Sequence, residues 1–82
     1  MELIIAFDST QQALRAEMLL EYADIEIDIR PTPKEITAGC ALSIGFYEAD
    51  EAKVKTILDD EKVEIKGIFK YTESGYQPIK AS

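Results

Sequence analysis

Arg30-Pro31-Thr32-Pro33-Lys34-Glu35-Ile36-Thr37-Ala38-Gly39-Cys40 is the stretch whose reading sets the fold, because ordinary scaffold lies on either side and this segment joins it. Thr32, followed three residues later by Glu35, has the form of a capping box, with Pro33 at the first helical position, where a missing N–H costs nothing. A short helical turn is expected there. Gly39 takes a left-handed conformation most easily, so the turn should stop at Ala38 and release Cys40 into the next strand.

Upstream of this connection, residues 26–30 alternate polar and apolar. Ile25, Ile27 and Ile29 face inward and Glu26, Asp28 and Arg30 outward, the pattern of a half-buried strand. Pro31 and the charged outer side place it at a sheet edge. Downstream, Leu42, Ile44 and Phe46 alternate with Ala41, Ser43 and Gly45, which gives a second strand with one face of small residues. Gly45 in its middle implies close approach by another group.

Further out, Leu3-Ile4-Ile5-Ala6-Phe7 is an unbroken apolar run, expected of a central strand. Ser9 and Gln12 form a second capping box that opens a helix reaching about residue 22. Ala13, Ala16, Leu19, Leu20 and Ala23 fall on one side as its core stripe. Leu14, Met18 and Tyr22 make another apolar row on roughly the opposite side. That row is either the margin of a wide buried stripe, covered by the tail, or an interface with a second copy or a partner.

Asp50 is the expected N-cap of a second helix, with Val54, Ile57 and Leu58 inward. Asp59-Asp60-Glu61 sets acid against that helix's C-terminal dipole, so early fraying is expected. Residues 63–71 should form the last strand, interrupted by Gly67. Residues 73–82 are read as a tail, or as an extra extended segment along an open edge, beyond a domain of residues 1–72. The order strand, helix, strand, turn, strand, helix, strand implies an α+β, ferredoxin-like split βαβ two-layer sandwich, its antiparallel sheet carrying two helices on one face. The uncovered sheet face and the spare helix row together imply a homodimer.

Composition bounds the chemistry. Eighty-two residues, 46% hydrophobic and 30% charged, suffice for one small core. A net charge of −7 opposes binding to phosphate backbones and anionic membranes. The element order also suits an RNA-recognition module, but no basic Gly-aromatic signature surrounds Phe7, Phe46 or Tyr47. No apolar run is long enough to span a membrane and no basic leader opens the chain, so a cytoplasmic protein is expected. With no histidine and one cysteine, imidazole chemistry and an internal disulfide are excluded. No phosphate loop, metal-ligand spacing or paired acid and base is present, which leaves no expected cofactor and disfavours an enzyme.

Cys40 is the one nucleophile of consequence. It shares phase with Leu42, Ile44 and Phe46, so it is either a small hydrophobe packed at the end of the core or a thiol at the strand's rim. Arg30, Lys34 and Lys70 are the candidate cations for binding and holding a thiolate, with Gly39 shaping the turn. The strand after Cys40 is expected to run parallel to the first, placing Cys40 among helix C-termini. An ordinary or modestly lowered thiol pKa, near ~8.5, follows from that placement.

Pro31-Thr32-Pro33, Lys34-Glu35, Ile36 and Cys40 entering an apolar strand resemble the selenium/sulfur carrier protein-like family. The resemblance runs from Met1 to about Tyr71 and includes the opening strand, the Ala-rich helix and Gly67-Ile68-Phe69-Lys70. The family pattern commonly has glycine after the cysteine, whereas here Ala41 follows Cys40 and Gly39 precedes it. The resemblance implies that Cys40 carries sulfur or selenium, exchanged with a donor or acceptor protein. The alternative is a non-catalytic interaction or regulatory module acting through the sheet face and the Leu14, Met18, Tyr22 row.

Overall fold

The structure is a computed structural model, which describes residues 2–36 and 42–79. The elements run β1 (Leu3–Ala6), α1 (Thr10–Tyr22), β2 (Ile27–Pro31), β3 (Leu42–Phe46), a 3-10 turn (Glu48–Asp50), α2 (Glu51–Asp60), β4 (Gly67–Thr72) and β5 (Gly75–Pro78). They form an α+β fold with one sheet in the order β2-β3-β1-β4-β5, every neighbouring pair antiparallel. The apolar run at residues 3–7 is the central strand and β2 lies at an edge, as their patterns require. The expected four strands become five, because residues 75–78 pair along β4 as the extended segment.

Register sorts the side chains. Ile5 stands between Ile44 and Ile68, and Leu3 beside Phe46. With Phe7 these residues meet Ala13, Ala16 and Leu20 of α1 and Val54 and Leu58 of α2 in one buried cluster. The alanines let α1 sit close to the sheet. Leu19 packs against the cluster from its margin, but Ala23, expected in the stripe, is the exposed C-cap of α1.

Both helices end alike. Asp24 N–H donates to Glu21 O and Ile25 N–H to Leu20 O, while Lys62 N–H donates to Asp59 O and Val63 N–H to Leu58 O. Each end is a Schellman motif with its apolar pair, Leu20–Ile25 or Leu58–Val63, buried beneath it. The left-handed positions are held by Asp24 (φ 63°) and Lys62 (φ 54°), not by glycine. α2 persists to Asp60 despite its acidic end, because this motif satisfies its last carbonyls.

Three other expectations are corrected. β3 runs antiparallel to β1, not parallel to it, so Ser43 at its start stands beside Ala6 at the end of β1. That end of the sheet is where α1 begins, which removes the expected setting of helix C-termini alone. The capping box at Thr32 is not made: residues 34–36 are a turn closed by Ile36 N–H to Pro33 O at 3.0 Å. Thr32 Oγ1 is buried with no hydrogen-bond partner among the described residues. The last strand begins at Gly67, not at residue 63, and Val63 fills the core from the linker.

Candidate functional site

The entrance of β3 follows Cys40 by two residues and is fixed from both sides. Leu42 and Ser43 pair with Pro31 and Arg30 of β2, and Ser43 also pairs with Ala6 of β1. Ser43 is fully buried, and its hydroxyl donates to Arg30 O at 3.2 Å. A buried hydroxyl without such an acceptor would be costly, so this bond fastens the exit of β2 to the start of β3. Cys40 and Gly39 themselves lie outside the described residues.

Arg30 projects from the side of the sheet opposite the core cluster. Its Nη2 lies 2.6 Å and its Nε 3.2 Å from Asp28 Oδ2. Two residues apart on a strand, they share a face. The guanidinium lies across Gly45, whose imagined Cβ would stand 3.5 Å from Arg30 Nε and 3.6 Å from Asp28 O. This is the close approach that the glycine implied. Asp28 was missed as a partner, although its period-2 spacing from Arg30 is a readable signal.

The other two cations do not join Arg30. Lys34 is exposed in the turn. Lys70 stands opposite Leu3, at the far end of β1 from Ser43, with Nζ 3.1 Å from Glu48 Oε1. Glu2 completes that cluster, its Oε1 accepting Glu48 N–H at 3.0 Å. The Glu48 amide, with Glu2's own backbone N–H, holds the Glu2 carboxyl below its ordinary pKa.

Leu14 (49% exposed), Met18 (68%) and Tyr22 (83%) stand open to solvent, so the row is neither buried margin nor covered by residues 73–79. At the end of the sheet where β3 begins, but on the β4 side, an open groove of about 800 Å3 is walled by Leu58, Val63, Ile65, Ile68 and Ile79, with Lys55, Lys62 and Lys66 among its polar lining. Among the described residues no group of three or more His, Cys, Asp or Glu side chains is placed to hold a metal ion. No described helix is long and apolar enough to cross a membrane.

The described residues form a small α+β domain, and the one cysteine of the sequence precedes its inner strand β3 by two residues. The chain matches the family model described as "Putative Se/S carrier protein-like" over residues 2–70, and it belongs to that family. Searches of the curated proteins and of the solved structures find no match.

Proposed function

We propose that Cys40 carries a sulfane sulfur or selenium atom between protein partners. The observation that carries this reading is the family match, which spans residues 2–70 and so includes the only cysteine. In the sulfur case the Cys40 thiolate attacks the outer sulfur of a donor persulfide. A new S–S bond forms to Cys40, the donor's S–S bond breaks, and the donor leaves as its thiolate. No external oxidant is needed, because the sulfane sulfur arrives already oxidised. A single free thiol suits a reducing, cytoplasmic setting.

The strand order supports a finer reading of the scaffold. β4-β1-β3-β2, with a helix in each β-α-β crossover, suits a ferredoxin-like split βαβ to which β5 adds an edge strand. Residues 1–72 then form the domain and the rest its extension. Arg30 is the binding cation nearest in register to the entrance of β3, and Lys34 and Gly39 lie along the connection from β2. Lys70 lies remote from that entrance and is proposed only as an outer contact for a partner.

Intact-mass measurement after incubation with a low-molecular-weight persulfide tests this reading. One added sulfur, removed by dithiothreitol and absent in Cys40→Ser, is expected. An unmodified wild-type chain would exclude the carrier role. A second reading, a thiol-independent interaction module, is favoured by the exposure of Leu14, Met18 and Tyr22. It expects a partner whose binding is lost in Met18→Glu and kept in Cys40→Ser.

A further inference from the structure

The two edges of the sheet differ in what their backbones present. Ile79 N–H donates to Ile68 O, and Lys66 N–H donates to Ala6 O. Ile68 therefore directs its backbone groups toward β5, and Ala6 directs its own toward β4. In an antiparallel ladder successive residues point to alternate sides. Carried across the registers, Ile5 points to β3, Ile44 to β1, Ser43 and Gly45 to β2, and Asp28 and Arg30 back to β3. Ile27, Ile29 and Pro31 are left pointing outward from the β2 edge.

That edge offers two N–H donors, from Ile27 and Ile29, and three carbonyls. Of these, Pro31 O also accepts from the Ser43 hydroxyl at a long 3.5 Å, and its second lone pair leaves it able to accept another N–H. On β5 the same phase leaves Tyr76 and Pro78 pointing outward, with one donor between them. Ile29, next to the free β2 groups, is 36% exposed although it faces the core side of the sheet.

We propose that the occupant of the β2 edge is a second copy of this chain, joined antiparallel with Ile29 opposite Ile29 of the other copy. In this register the paired residue numbers add to 58. Both Ile29 residues exchange their outward N–H and C=O groups, and each Ile27 N–H reaches the carbonyl of the opposing Pro31. Every outward donor finds an acceptor, and the N–H that proline lacks is never required. On the opposite face of the sheet, Asp28 of each copy stands directly across from Arg30 of the other. These are positions between the hydrogen-bonded pairs, where side chains come closest. Sliding by two residues either way sets Asp28 against Asp28 or Arg30 against Arg30, which is destabilising. A slide by one residue turns the isoleucines to the wrong face. The alternating charges on this strand select one register with itself. The Asp28–Arg30 pair seen within one chain exchanges for two pairs between chains, and the two sheets become one of ten strands.

Amide exchange and sedimentation test the proposal together. Raising protein concentration should protect the Ile27 and Ile29 amides and leave the Tyr76 amide unchanged, as the 9.2 kDa species gives way to one of twice that mass. Arg30→Asp alone and Asp28→Arg alone should each weaken self-association roughly tenfold or more. Mixing these two variants should restore a heterodimer, because each then presents what the other lacks. Circular dichroism of each variant checks folding, and the restored mixture shows that both fold. A wild type that stays monomeric to millimolar concentration overturns the proposal. So does a dimer that survives both charge variants, or one lost in Met18→Glu but kept in the charge variants.

Discussion

At the residue scale, Glu2 shows how an exposed carboxylate can still matter. Its pKa is lowered chiefly because Glu48 N–H donates to the charged form. A group with a lowered folded pKa contributes stability above its unfolded value, about 4.3 for Glu, and loses it as pH falls through the folded value. Glu2→Gln should therefore lower the urea midpoint at pH 7, with the gap to wild type closing as pH drops below the carboxylate range. A gap that stays constant into acid would assign the effect to shape, not charge. Lys70 illustrates the converse. It sits three residues along β1 from the Ala6 end, about 10 Å at the strand rise, beyond the ~8 Å screening length at physiological salt. Its charge is also engaged by Glu48. Lys70→Gln should leave the pH midpoint of Cys40 alkylation where it is, and a shift as large as that of Arg30→Gln would place the thiol nearer β4 than its sequence neighbours suggest.

At the element scale, the helix ends separate two effects that sequence inspection merges. Asp24 and Lys62 both occupy left-handed positions, a conformation that costs a side chain roughly 1–2 kcal/mol and glycine little. Part of that cost returns in glycine's freer unfolded chain, so either change to glycine should stabilise by roughly 0.5–1 kcal/mol. The charges decide the order. Asp24 opposes the negative end of the α1 dipole, whereas Lys62 complements that of α2, each by about 0.3–1 kcal/mol. Asp24→Gly should therefore raise the thermal midpoint more than Lys62→Gly, and the reverse order would show that the dipoles do not set these ends. Neither end was legible, because the sequence signal for such a cap is glycine. The start of α1 was legible, since Ser9 Oγ accepts Gln12 N–H at 3.2 Å. Only half of that capping box was readable, however: Gln12 Oε1 accepts Glu64 N–H at 3.2 Å, tying α1 to the linker before β4. At Thr32 the same pattern misled: the segment closes as a single turn through Ile36 N–H to Pro33 O, and Thr32 Oγ1 receives no bond from a described residue. Apolar periodicity found the cores of β1, β3 and α2. It overextended β4 because Val63 and Ile65 pack inward without joining the sheet. Of the candidate site, strand parity put Arg30 and Gly45 on one face, but their contact needed the β2–β3 register. The antiparallel direction of β3 was readable from the element order, since a helix crossover sets β2 parallel to β1 and the next connection turns β3 back against both.

At the scale of the whole molecule, stability rests on a five-strand sheet with two unequal edges, and β5 closes the more exposed one. Without it, β4 would turn the backbone groups of Ile68, Lys70 and Thr72 to solvent, including three N–H donors. That is a longer and better template for unwanted pairing than the two donors of β2. β5 also brings Tyr76 edge-on to Tyr71, ring centroids 5.0 Å apart, and leads Ile79 onto the core. The partial burial of Ile79 and the aromatic pair together account for roughly 2–3 kcal/mol. That is a large share of the ~5–15 kcal/mol typical of a whole domain. A chain ended at Thr72 should unfold at a clearly lower urea concentration and scatter more light as its concentration rises. Tyr76→Ala, which keeps the β5 backbone in place, should lose only the aromatic part, about 0.5–1.5 kcal/mol, without added scattering. Equal stability of the shortened and full chains would reduce residues 73–79 to an appendage of a self-sufficient domain, while equal behaviour of the shortened chain and Tyr76→Ala would show that one ring contact, not the covered edge, is what β5 contributes.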